Sequence, residues 1–147
     1  MFMFNLLDAS HLTSAGSTFV TLADNVLIKL LSTFSIKSTI AGTDYSTAVS
    51  IFAASNWVHI AFLYRASNNI YKVVLNGAEV LKETVNPFPS ITKTLFSGVG
   101  NTLLKNIQMF ARALPVTYVR HSMNLKMDAS KLFKSVIYYY PLDEGDG

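Results

Sequence analysis

The sequence predicts an all-β protein folded as an antiparallel β-sandwich, and three observations carry that reading. Residues 56–80, NWVHIAFLYRASNNIYKVVLNGAEV, form two dense apolar arms joined by a short polar turn. Within the arms Val58, Ile60, Phe62 and Tyr64 fall on one face, and Tyr71, Val73 and Leu75 alternate with Lys72, Val74 and Asn76. Alternation of period two marks a strand with a buried face. The second arm closes on Asn76-Gly77, a pair that accepts the positive φ of a tight primed turn, so a third strand starting near Glu79 folds straight back.

The same criteria, taken along the chain, place strands near residues 18–22, 34–40, 48–53, 57–64, 71–75, 79–84, 94–98 and 105–110, then a helix at 116–123 and a strand at 136–140. Trp57 is expected to point inward, on the hairpin arm opposite Tyr71. NPFPS, residues 86–90, is a loop because its two prolines remove ladder donors. Its Phe88 is either a plug over the core or an exposed contact. Pro115 suits the first helical turn, where its missing N–H costs nothing, and Val116, Val119 and Met123 then share one face. That helix is expected to cap the sandwich.

Several segments also follow one another in a familiar order: GSTFVTLADN (16–25), STFSIKSTI (32–40), W-x-H-I-A from Trp57, L-N-G from Leu75, LFSGVG (95–100) and LLKNIQMFARALP (103–115). Together they resemble the laminin G-like and pentraxin-like group of the concanavalin A-like lectin/glucanase superfamily, which implies an antiparallel jelly-roll β-sandwich with a short helix near the C-terminus. The likeness covers roughly residues 16–125. One departure is clear. Between the F-S-I and W-x-H-I-A strands the family has several further strands, whereas here only residues 41–55 intervene. The sandwich is therefore expected to be abbreviated, without strands that line the ligand-bearing surface in relatives, and no carbohydrate or calcium site carries over residue by residue.

On this reading residues 1–125 are the laminin G-like sandwich and 126–135 a linker, with Asp128-Ala129-Ser130 opening a short helical turn. Residues 136–147 have two readings. IYYYPLDEGDG resembles the opening of a further repeat of the same family, and Val136 to Tyr140 equally suits a last strand of this sandwich, pairing beside the first.

A chain of 147 residues suits one domain, and 50% hydrophobic residues supply its core. Only 14% of residues are charged, against about 25% in ordinary soluble domains. Either Ser, Thr and Asn cover the exterior, or part of it is buried against a protein partner or neighbouring domain. No run of apolar residues is long enough for a membrane helix, since Lys29 and Lys37 interrupt the most apolar early stretch. MFMFNLLDASH lacks the positive start of a signal peptide and ends its short apolar run at Asp8. The chain thus reads as intracellular or, in the preferred reading, as part of a longer extracellular or cell-surface protein whose leader lies elsewhere. With no cysteine, disulfides and thiolate metal sites are excluded.

The formal net charge of +3 is spread thinly. Lys29, Lys37, Lys72, Lys82, Lys93 and Lys105 fall about one per strand or turn, as on solvated faces and protected edges. Arg120, His121, Lys126, Lys131 and Lys134 cluster, but without interleaved aromatics or a nucleic-acid motif they read as a solvated helix face.

Chemistry is read mostly by exclusion. A glycoside hydrolase needs two carboxylates about 5–10 Å apart across a groove. Glu79 and Glu83, with Leu81 between them, could share a face but read as solvent-facing residues of an edge strand. Asp143, Glu144 and Asp146 are oxygen ligands of the kind calcium prefers, but the D-x-[DN]-x-[DN]-G pattern is missing. His11, His59 and His121 lack ligand spacing, and His59 reads as a half-buried structural residue bonded across the sheet. No G-x-S-x-G elbow is present, and Gly98-Val99-Gly100 precedes a strand where a nucleotide loop would precede a helix. No catalytic, cofactor-binding or metal residue is assigned. The expected function is a non-enzymatic binding or structural module that recognises a glycan or protein surface, with a glycoside hydrolase or lyase on the same fold as the alternative.

Overall fold

The computed structural model describes residues 1–92, 94–97, 99, 101–110, 112–122 and 136–140. Among these residues twelve strands and one helix follow in order: β1 (Phe2–Leu6), β2 (Ser17–Ala23), β3 (Val26–Leu30), β4 (Ile36–Ile40), β5 (Thr43–Ser46), β6 (Trp57–Arg65), β7 (Ile70–Leu75), β8 (Ala78–Thr84), β9 (Leu95–Phe96), β10 (Thr102–Lys105), β11 (Ile107–Phe110), α1 (Val116–Ser122) and β12 (Val136–Tyr140). They build two five-stranded sheets, in the orders β10-β1-β6-β7-β8 and β5-β4-β3-β2-β9, and a ribbon of β11 with β12. The all-β, antiparallel class with one short helix is borne out.

The chain divides into two compact units. One comprises Met1–Phe4, Trp57–Thr84 and Leu104–Gly147. Its centre is the β6–β7 hairpin, with Ile60 opposite Leu75, Phe62 opposite Val73 and Tyr64 opposite Tyr71. Those residues share one face because directly opposed residues of an antiparallel pair point the same way. Phe2 packs on Phe62 with ring centroids 6.1 Å apart. The turn to β8 has Asn76 at φ 47° and Gly77 at φ 78°, the two positive values a primed turn needs. Glycine reaches that region at no steric cost and Asn at little.

The other unit comprises Asn5–Asn56 and Val85–Leu103. Here β3 runs between β2 and β4, with Val26 opposite Ile40, Ile28 opposite Ser38 and Leu30 opposite Ile36. Every second residue of β3 and β4 is buried, so Lys29 and Lys37, opposite one another, stand on the other face. Phe34 meets Phe52 edge-on at 5.5 Å.

Several expectations need correction. Residues 48–53 are not a strand; they form turns and bends between β5 and β6, with Ser50 at φ 56°, a backbone that cannot hold a ladder. The strand is instead β5, one turn after β4. β1 and β3 were not anticipated. β1 is buried at Phe2, Phe4, Asn5 and Leu6, so it shows no alternation, and Lys29 breaks the apolar run that β3 follows. The strand expected at 105–110 divides at Asn106, whose φ is 53°. Trp57 is not a core residue: at 38% exposure it occupies the first position of β6, and the Lys105 ammonium lies 4.0 Å from its ring centroid.

Residues 86–90 are a loop as expected, with Phe88 half-buried. β12 pairs with β11, Tyr140 opposite Ile107 and Tyr138 opposite Met109. The side chains of β12, which bear on the two readings of residues 136–147, lie outside the described residues. So do the expected linker at 126–135 and the acidic cluster of Asp143, Glu144 and Asp146. Among the described residues, no helix is long and apolar enough to cross a membrane.

Candidate functional site

The register of β6, β7 and β8 lays out a grid on the second face of the hairpin. Ala61 is opposite Val74, which is opposite Glu79. In the next row Leu63, Lys72 and Lys82 stand side by side, and beyond them Arg65, Ile70 and Thr84. Helix α1 seals the first row. Val119, fully buried, joins Ala61, Val74 and Leu114 in an apolar cluster ringed by Met1, Leu63, Phe110, Val116 and Tyr118.

Arg120 fastens the same helix to the hairpin, donating from Nε at 3.1 Å and Nη2 at 3.0 Å to the Gly77 carbonyl oxygen. Sequence alone put Arg120 in a solvated basic cluster. The structure gives it a docking role, while the side chains of His121, Lys126, Lys131 and Lys134 lie outside the described residues.

Past the sealed row the face opens into a cleft of about 320 Å³, at the lower end of the range for small-ligand sites. Leu63, Ile70, Leu114 and Val116 supply apolar surface, and Ala113 and Pro115 complete the wall leading into α1. The polar groups are Arg65, Asn68, Lys72 and Lys82. Asn68 is held by its own turn: its side-chain oxygen accepts from the Ile70 N–H at 3.3 Å. Beside it the Tyr64 hydroxyl donates to Asn69 Oδ1 at 3.0 Å. Lys72 Nζ reaches Glu79 Oε2 at 2.5 Å. Arg65 and Lys82 are exposed, and among the described residues no carboxylate pairs with either.

Glu79 and Glu83 do not share a face. The ladder slips between Val73 and Val74, so that Leu81 is opposite Val73 while Glu79 is opposite Val74, and Val80 is the extra residue of a β-bulge. Glu79 therefore points into the grid towards Lys72, and Glu83, opposite Tyr71, lies on the other face.

His59 stands on the sealed side of the grid at 5% exposure. The cross-sheet bond expected of it is made by its backbone, whose N–H donates to Asn76 Oδ1 at 2.9 Å and whose carbonyl accepts from the Asn76 N–H at 2.8 Å. The ring Nδ1 is buried without a partner. Burial, and secondarily the nearby Met1 amino group, lower the imidazole pKa to about 4, so the ring is neutral at ordinary pH. Among the described residues no three potential metal ligands come together.

Sequence reasoning saw Lys72 and Lys82 only as scattered surface charges and did not single out Arg65 or Asn68. Part of the signal was present, because counting pairs back from the Gly77 turn places Lys72 and Leu63 correctly.

No family model matches the sequence, and no curated protein matches it. Among solved structures, the chain is similar to a protein of Bacteroides ovatus named "putative carbohydrate binding protein", with 12% identity and a TM-score of 0.74. The alignment covers 98% of this chain and 44% of that one, so this chain spans less than half of its neighbour's length. At that identity the likeness is one of fold.

Proposed function

We propose that the chain is a non-enzymatic binding module that takes a saccharide in the cleft beside Leu63 and Lys72. The observation that carries this is the cleft itself, where apolar side chains adjoin a few polar groups held by a β-sheet and a tight turn. The name of the Bacteroides ovatus neighbour supports it. Glycoside hydrolysis finds less support, because it needs two carboxylates flanking one bond and Glu79 and Glu83 occupy opposite faces. The laminin G-like resemblance supports placing the module in a longer extracellular or cell-surface protein. Leu7, Val49, Ile91, Leu95 and Leu103, all exposed in the second unit, support a protein partner or neighbouring domain there.

The test is binding to a saccharide library, with and without calcium, by wild type and by Ala113→Trp, which fills the cleft from its wall. Ligands held by the wild type and lost in a folded Ala113→Trp protein are the expected result. Binding that persists in the variant would place the ligand elsewhere, and a library without a single ligand would sink the saccharide reading.

A further inference from the structure

We propose that the ligand of this cleft is acidic: an anionic group on a sugar ring, carboxylate or sulfate, held by Arg65 and Lys82 with Lys72 alongside. The inference rests on the saccharide-binding reading and adds the chemical class. Among the described residues three cationic side chains line the cleft and one carboxylate, Glu79, answers them by pairing with Lys72. Arg65 and Lys82 keep their donors for a ligand, with no carboxylate partner among the described residues.

Their placement suits a single anion. Lys72 and Lys82 are opposed on adjacent strands, whose backbones run about 4.8 Å apart, so both ammonium groups can swing onto one group of oxygens. Arg65 is two residues beyond Leu63 on the same face, about 7 Å along the strand, within reach of a long side chain. Its planar guanidinium can grip two oxygens of one carboxylate or sulfate at once, whereas the lysines contribute point charges.

The rest of the lining points the same way. Among the described residues no aromatic side chain lines the cleft, so a neutral sugar would find no ring there on which to lay its apolar face. A polynucleotide would lack the stacking platforms that hold single strands. Leu63, Ile70 and Val116 offer aliphatic surface for the ring carbons, and charge then supplies both the orientation and the selectivity.

The experiment is calorimetric titration of the full chain with oligosaccharides of matched length in three forms, uronate, sulfated and neutral, with polyuridylate as a fourth arm. Each is run at about 50 and about 200 mM salt. The uronate or the sulfated form is expected to bind at least about tenfold tighter than the neutral one, to weaken as salt rises, and to lose about tenfold in Lys82→Gln and in Arg65→Gln. Which acidic form binds better identifies the anion. Equal binding of the neutral form would overturn the acidic assignment and leave the binding-module reading standing; failure of every saccharide would remove both. Tighter binding of polyuridylate would replace the saccharide with a nucleic acid, and acidic binding unchanged in both variants would move the site away from this cleft.

Discussion

The two ends of the β6–β7 face start from the same architecture and finish differently. At one end Ala61 and Val74 lie under α1, their neighbours are apolar, and Arg120 ties the helix to the hairpin turn. At the other end, one row along the same three strands, Leu63 sits beside Lys72 and Lys82, and among the described residues the 113–116 segment alone overlooks them. Helix α1 covers the first row with Val119, and the cleft lies beside the segment that leads into its first residue. Covering part of a face yields stability there and leaves a ligand-sized opening where the cover stops.

The contrast makes the sealed end sensitive and the open end tolerant, and the strongest way to break it is at Val119. Val119→Asp puts an unpaired carboxylate in the apolar cluster, and a loss of about 3–5 kcal/mol in urea unfolding is expected. A stable variant would show that α1 can leave the sheet at little cost.

His59 gives the next largest effect. Its folded pKa of about 4 lies below the unfolded value of 6.5, so the unfolded chain binds the proton first. The His59 contribution is therefore full above pH 6.5 and is lost as pH drops through 6.5 towards 4, while the buried Met1 amino group, lowered from 8.0 to about 5, loses its own contribution between pH 8 and 5. The fall due to His59 is expected to be about 3 kcal/mol, and His59→Leu should flatten the slope most between about pH 5 and 4, below the range in which the Met1 amino group titrates. Unfolding curves at a series of pH values measure both; an identical slope in the variant would assign the acid sensitivity to other groups.

Arg120→Ala should cost about 1–2 kcal/mol, since it removes two charge-assisted hydrogen bonds from an exposed position. Amide exchange in α1 should accelerate more than exchange in β7. At the open end, Arg65→Gln and Lys82→Gln should each change stability by no more than about 0.5 kcal/mol, read as an unchanged melting transition. A large loss in either would make these side chains structural supports.

How much of this could be read beforehand varies with how local the cause is. The β6–β7 hairpin and the Asn76-Gly77 turn were legible because alternation and turn chemistry are written within a few adjacent residues. So was the helix after Pro115. β1 escaped because it is buried at consecutive positions, which erases the period-two pattern. β5 was misplaced because the apolar composition of residues 48–53 outweighed their turn geometry. Trp57 looked like a core residue by size alone, yet it begins its strand at the surface against Lys105. The cleft was the least legible part: it depends on where α1 comes to rest, on the 113–116 segment, and on a ladder irregularity with no local signal.

That irregularity decides the electrical character of the opening. In a regular ladder leading back from the Gly77 turn, Lys72 would face Leu81, and Ile70 would face Glu83. Lys82 would then point away, and Glu79 and Glu83 would sit together beside Arg65 and Lys72, two negative charges against two positive. With Val80 bulged out of the pairing, Lys82 takes the place beside Lys72 and Glu83 turns to the other face. Among the described residues the count becomes three positive against one negative, Arg65, Lys72 and Lys82 against Glu79. One residue left out of the pairing thus reverses what the surface attracts without any change of side-chain chemistry, and the same sequence with Val80 paired opposite Val73 would present an acid pair where this chain presents a cationic trough.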